Sequence, residues 1–117
     1  MLPSQLIAEE KNWLQGCLAR TEDGYPVSPV HPAAVKFCAV GALVRFCELP
    51  FSPVWNQIMR WANEEAAKRG GSGCSIVSYN NAVERKHHEV VSLVQDVEAR
   101  ARKEGLIVED KLCVPVS

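Results

Sequence analysis

Nowhere in the 117-residue chain do apolar residues run for anything near the ~18 that a membrane-spanning helix needs. The uncharged run from Phe37 to Val44 is far shorter and is interrupted by Gly41. No C-x-x-C pair occurs, and the five cysteines, Cys17, Cys38, Cys47, Cys74 and Cys113, are odd in number and irregularly spaced. That excludes a disulfide framework and a zinc knuckle and leaves reduced thiols as the expectation. No Gly-Lys pair is present, so "GGSGC" (Gly70 to Cys74) lacks the ending of a phosphate-binding loop. A helix, not a strand, is expected before it, which also excludes a nucleophile elbow.

An excess of charge is missing too. The formal net charge is -1, so the molecule has no positive field to draw in a phosphate backbone, and no nucleic-acid partner is expected. The first residues, "MLPSQLIAEEKNW", have neither a basic start nor a long apolar run, and acids follow at once. They do not read as a secretory signal, and a cytoplasmic location is expected.

What the chain does have is ordinary globular composition: 47% apolar and 23% charged residues, which argues against general disorder. A chain of this length fits one domain, with a core over about 4–104 and a tail over 105–117. Four helices follow from capping and periodicity. The first spans about Ser4 to Ala19 with Ser4 as N-cap, and the loop "TEDGYPVSPVHP" follows, broken by Gly24 and three prolines. The second runs from Pro32 to about Leu49, stopped by Pro50, and is apolar on nearly all sides, the mark of a buried central helix. The third starts with Ser52 and Pro53, turns Val54, Ile58, Trp61 and Ala62 inward, and stops at Gly70.

"IVSY" (Ile76 to Tyr79) reads either as a short strand or as an extended lead-in. Asn81 and Glu84 have capping-box spacing, so the fourth helix is placed from Asn81 to about Lys103, with Gly105 after it. Its inward stripe is Val83, His87, Val90, Val91, Val94, Val97 and Ala101. The tail is apolar enough to lie back on the body or to pair with "IVSY". The predicted architecture is therefore all-α: a compact bundle of about four helices around a central apolar helix, with room for a minor two-stranded β element.

Few residues suggest chemistry. A cysteine becomes a nucleophile when an imidazole takes its proton and an Asn or Asp orients that imidazole, and the chain owns Cys38, His87 or His88, and Asn80 or Asn81. Cys38 is expected two turns into an apolar helix, however, where burial raises a thiol pKa, so packing is the favoured role. Cys74 is expected in a solvent loop. His87 and His88 are adjacent and diverge by about 100° on a helix, so they do not chelate one metal together, and His31 joins them only through a long-range contact. His87 lies in the apolar stripe, where its nitrogens are expected to bond a carbonyl or an Asn. The basic residues of "RWANEEAAKRG" and "EARARKE" are balanced by glutamates and read as solvated faces.

"FCAVGAL" (Phe37 to Leu43) and "YNNAVERKHHEV" (Tyr79 to Val90), with Trp13 and Gly16 before them, resemble the motifs of a family of small bacterial and phage proteins carrying a domain of unknown function. That family shows an aromatic followed by C-A-L-G-A-L and later W-N-D, a histidine and E-V-L. The resemblance covers about Trp13 to Val97, implies a compact helical fold and carries no activity. By position it singles out Cys38, Gly41, Asn80 and His87, with Asn81 where the family usually has Asp. Asn and Asp are both good N-caps but not interchangeable as a base or metal ligand, which favours capping at Asn81. Gly41 costs about 1 kcal/mol relative to Ala inside a helix, so a close helix-to-helix approach is the expected reason for it.

The first reading is a non-enzymatic interaction or accessory module with no cofactor or metal, its partner undefined, that self-associates if an apolar face is left open. The rival is a small thiol- or histidine-dependent hydrolase or transferase using Cys38 or Cys74 with His87 and Asn80. A nucleic-acid accessory protein stands third.

Overall fold

The computed structural model describes residues 1–48 and 53–112. In chain order the elements are α1 (Pro3–Leu6), a 3₁₀ turn (Glu10–Asn12), β1 (Ala19–Arg20), β2 (Lys36–Phe37), α2 (Ala39–Cys47), α3 (Pro53–Gly70), α4 (Ile76–Asn81), α5 (His87–Lys103), β3 (Ile107–Val108) and β4 (Lys111–Leu112). The fold is mostly helical, but the all-α expectation needs correcting: among the described residues two antiparallel ribbons, β1-β2 and β3-β4, stand beside five α-helices.

The largest correction is at the N-terminus, where a long amphipathic helix was expected over Ser4 to Ala19. Only Pro3–Leu6 is α-helical, and the chain then runs across the molecule. The reason is tertiary. Leu14 N donates to Phe37 O at 2.9 Å, Gly16 N donates to Asn81 Oδ1 at 2.9 Å, and Gly16 takes φ +78, a left-handed conformation that a helix cannot contain. Backbone groups satisfied across the fold outweigh a weak helical propensity. Ser4 is no N-cap either; its Oγ donates to Glu98 Oε2 at 2.8 Å and ties α1 to α5.

The second helix also starts later than Pro32. Residues 36–37 pair with β1 in the register Ala19 to Phe37 and Arg20 to Lys36, so the chain must stay extended until Cys38, which becomes the N-cap. The helix that remains is largely buried, as its apolar sequence leads one to expect: Ala39, Val40, Gly41, Ala42, Leu43 and Cys47 are all buried. Val35, which falls inside the span expected for this helix, lies before it and is exposed. Glu48 ends it with φ 56, while the expected stop at Pro50, like the expected cap at Ser52, lies outside the described residues.

The third helix follows its pattern, with Val54, Ile58, Trp61, Ala62 and Ala66 buried against α5. There Val90, Leu93, Val94, Val97 and Ala101 form the facing stripe. Ion pairs Arg69–Asp96 and Arg100–Glu64 border the seam, and the Arg100 guanidinium lies 5.1 Å from the Trp61 ring centroid.

"IVSY" is helical, which corrects both readings given for it. Ser75 Oγ accepts from Ser78 N at 3.1 Å, Asn63 Oδ1 accepts from Ile76 N at 2.9 Å, and Ile76 and Tyr79 point inward one turn apart. The tail therefore pairs with itself: Ile107 faces Leu112 and Val108 faces Lys111 around Glu109 and Asp110, both at positive φ (52° and 62°) as a tight two-residue hairpin loop requires.

The last helix starts at His87, not Asn81. The capping box forms five residues later than its expected place, with Glu89 Oε1 accepting from Lys86 N at 2.8 Å, and neither Asn81 nor Glu84 caps α5. Val83, assigned to the inward stripe, sits in the preceding turn and is 99% exposed. Gly105 follows α5 at φ +78, and Leu106 N closes the turn on Ala101 O.

Candidate functional site

The residues that the sequence singled out meet around Asn80, on the last turn of α4. Its side chain is 1% exposed and makes four hydrogen bonds. Oδ1 accepts from Trp13 Nε1 at 2.8 Å and from Ala39 N at 3.1 Å; Nδ2 donates to Leu14 O and to Asn81 Oδ1, both at 2.9 Å. One amide thus satisfies an orphan N–H in the first turn of α2, pins the N-terminal arm and braces its neighbour. The arm answers with Gln15, whose Nε2 donates to Asn80 O and Ala82 O at 2.9 Å each. Asn81, expected as a helix cap, instead accepts the arm's Gly16 N.

His87 opens α5 on the other side of Trp13. The two rings lie 5.9 Å apart at 46°, and His87 Nε2 sits 2.6 Å from Ile7 O. A carbonyl only accepts, so Nε2 carries the proton and donates. The expected carbonyl bond is therefore present, on a half-buried ring rather than a core one. Its outer side borders a cleft of about 420 Å³ with Glu10, Trp13, Arg85, Lys86 and His88. Arg85 is already engaged there: its guanidinium lies 3.6 Å from the Tyr79 ring centroid, Nε donates to Tyr79 O, and it pairs with Glu89.

Cys38 stands at the N-cap of α2 and not two turns inside it. That position usually favours a thiolate, but the side chain is 6% exposed, and burial pushes its thiol up against the opposing pull of the Gly41 and Val40 N–H groups. Sγ accepts from Gly41 N at 3.3 Å. The nearest neighbour of Gly41 is not a second helix. A Cβ there would lie 1.9 Å from Leu18 O, so the close neighbour is the backbone of the arm leading into β1.

Cys38, Asn80 and His87 are thus neighbours in one network without forming a nucleophile, orienter and base. Asn80 has no capacity left for His87, His87 bonds Ile7, and Cys38 bonds Gly41. Cys74 is folded back over the end of α3, where a Cβ on Gly70 would come within 2.6 Å of its Sγ, and it donates to Ser75 O. Cys47 is buried, and that burial pushes its thiol up to about 11. Among the described residues no three His, Cys, Asp or Glu side chains come together as a metal site; His31 turns onto its own loop, Nδ1 accepting from Ala33 N.

Sequence reasoning missed two parts of this arrangement. One is the clamp of Trp13 and Gln15 on α4, hidden because the arm was read as helix. The other is the buried carboxylate of Glu98, whose only sequence signal is an acid on the apolar side of α5 between Val94 and Ala101. Burial raises its pKa, opposed by the Ser4 hydroxyl and N–H and by Arg102, while Asp110 adds to the rise.

This is a small, mostly helical fold in which Trp13 and the buried Asn80 form a polar clamp. The chain belongs to a family of unknown function, DUF6197, whose model matches residues 4–100. No curated protein and no solved structure matches it.

Proposed function

We propose that the protein is a non-catalytic interaction or accessory module, a small cytoplasmic single-domain protein of bacterial or phage type. The observation that supports this reading most is how Asn80 is used: all four hydrogen bonds of its amide hold the arm, α2 and α4 together, leaving none to orient a histidine. No helix among the described residues is long and apolar enough to cross a membrane. The surface that such a module offers includes the half-exposed Leu18 and Val77, which flank one cleft, and a second copy of the chain is the partner to test first by sedimentation.

One observation favours the rival reading as a thiol enzyme: Cys38 lies at a helix N-terminus, where thiolates are stabilised. Its burial works against this. Alkylation of the native protein with iodoacetamide between about pH 5 and 9, followed cysteine by cysteine by mass spectrometry, separates the two readings. The module predicts slow labelling of Cys38 with no plateau below the free-thiol value near ~8.5. Fast labelling of Cys38 with a lower apparent pKa that His87→Asn abolishes would overturn it.

A further inference from the structure

A cleft of about 200 Å³ lies between the arm, the start of α2 and α4, lined by Gly16, Cys17, Leu18, Cys38, Val40, Val77, Asn80 and Asn81. Two of its walls are thiols, and neither is explained by the clamp. Cys17 is half-buried, with Sγ donating to Ala19 O, and Cys38 is buried behind it.

The backbone brings their segments together. Ala19 faces Phe37 in the β1-β2 register, and one step further Cys38 N donates to Leu18 O at 3.2 Å. The missing side chain at Gly41 lets Leu18 press onto the first turn of α2, which brings Cys17, the residue before it, beside the helix N-terminus. Opposed Cα atoms in an antiparallel pair lie about 4.5–5.5 Å apart. Cys17 lies one residue beyond that opposed pair, and both cysteines line the same cleft; a disulfide between them needs Cα atoms roughly 4.4–6.8 Å apart. Charge on Cys17 is also felt at Cys38, adding to the upward push that burial gives that thiol.

We propose that Cys17 and Cys38 are a paired thiol site that small-molecule disulfides, such as oxidised glutathione, convert to an intramolecular disulfide. The Cys17 thiolate attacks one sulfur of the small disulfide, forms a mixed disulfide and expels one small thiolate. The Cys38 thiol gives its proton to water and attacks the Cys17 sulfur, expelling the second. Two electrons pass from the protein thiols to the reagent, and two small thiols leave. The product is a covalent staple between the arm and α2 at the point where Leu18 already touches Gly41. Burial slows ionisation of Cys38, so the mixed disulfide on Cys17 is a visible transient.

The test treats the full chain, native, with oxidised glutathione, followed by an acid quench, N-ethylmaleimide in denaturing urea and mass spectrometry of intact protein and peptides. The expected product links the Cys17 and Cys38 peptides with the loss of two hydrogens, while Cys47 and Cys74 carry the maleimide and Cys113 is read from its own peptide. In Cys38→Ser, which keeps a good N-cap residue, the reaction stops at the mixed disulfide on Cys17; in Cys17→Ser, Cys38 stays reduced. A mixed disulfide on Cys17 that persists in the wild-type protein as long as in Cys38→Ser would overturn the proposal. So would an unmodified Cys17, or a link from Cys38 to any other cysteine. If either variant does not fold, the wild-type peptide map decides alone.

Discussion

Gly41→Ala sets two effects of opposite sign against each other, and their magnitudes decide the outcome. Helix propensity favours the substitution by about 1 kcal/mol in the interior of a helix. Against it, the new methyl would lie 1.9 Å from Leu18 O, 2.8 Å from Leu18 C and 3.4 Å from Leu18 Cα, all backbone atoms that have no rotamer in which to escape. To restore ordinary contact the arm must retreat by more than 1 Å at a point where Cys38 N donates to Leu18 O across 3.2 Å, and a shift of that size breaks the bond. Overpacking of this kind costs about 1–3 kcal/mol, and the lost backbone bond adds about 1 kcal/mol. The net expectation is a destabilisation of about 1–3 kcal/mol, a large share of the ~5–15 kcal/mol that holds a domain together. Urea unfolding followed by tryptophan fluorescence measures it, and the midpoint should fall with an unchanged slope. A Gly41→Ala protein as stable as the wild type, or more so, would refute the close approach of the arm to α2.

Asn80→Ala leaves Ala39 N and Leu14 O without their side-chain partner in the interior and should cost about 3 kcal/mol or more, read from the same unfolding curves. Glu98 has a folded pKa raised above its ordinary 4.5, so its contribution is fully present below that value and is lost as pH rises through the folded pKa. Wild-type stability measured relative to Glu98→Gln should therefore decline as pH climbs from about 4.5 and then level off; a difference that grows with pH would show a lowered pKa instead. Cys47, its thiol pushed up to about 11 by burial, should resist alkylation at neutral pH in the native state and react on unfolding in urea.

Periodicity and punctuation made parts of this fold legible. Val54, Ile58, Trp61 and Ala62 recur at helical spacing and are buried together, and Val90, Val94, Val97 and Ala101 do the same on α5. Elsewhere the deciding contacts are remote in sequence. Nothing local says that Leu14 bonds Phe37 or that Gly16 bonds Asn81, yet those bonds turn an apparent amphipathic helix into an extended arm. Asn81 and Glu84 have the spacing of a capping box, as do Lys86 and Glu89, and spacing alone cannot choose between them. "IVSY" was too short for its period to be read, and its helix is set by Ser75 and by Asn63 on another element. The candidate residues Cys38, Gly41, Asn80 and His87 were visible as types. Their roles were not, because each depends on a partner, Leu18, Trp13, Ala39 or Ile7, that only the fold supplies.

The central claim is that Trp13 and Asn80 act as one structural clamp, and a double-mutant cycle on folding free energy tests it most directly. Trp13→Phe removes the indole N–H, and Asn80→Ala removes its acceptor, 2.8 Å away. The clamp predicts that the two costs do not add, with a coupling of about 1 kcal/mol or more. Costs that add to within ~0.3–0.5 kcal/mol would contradict it and leave Asn80 free for another role.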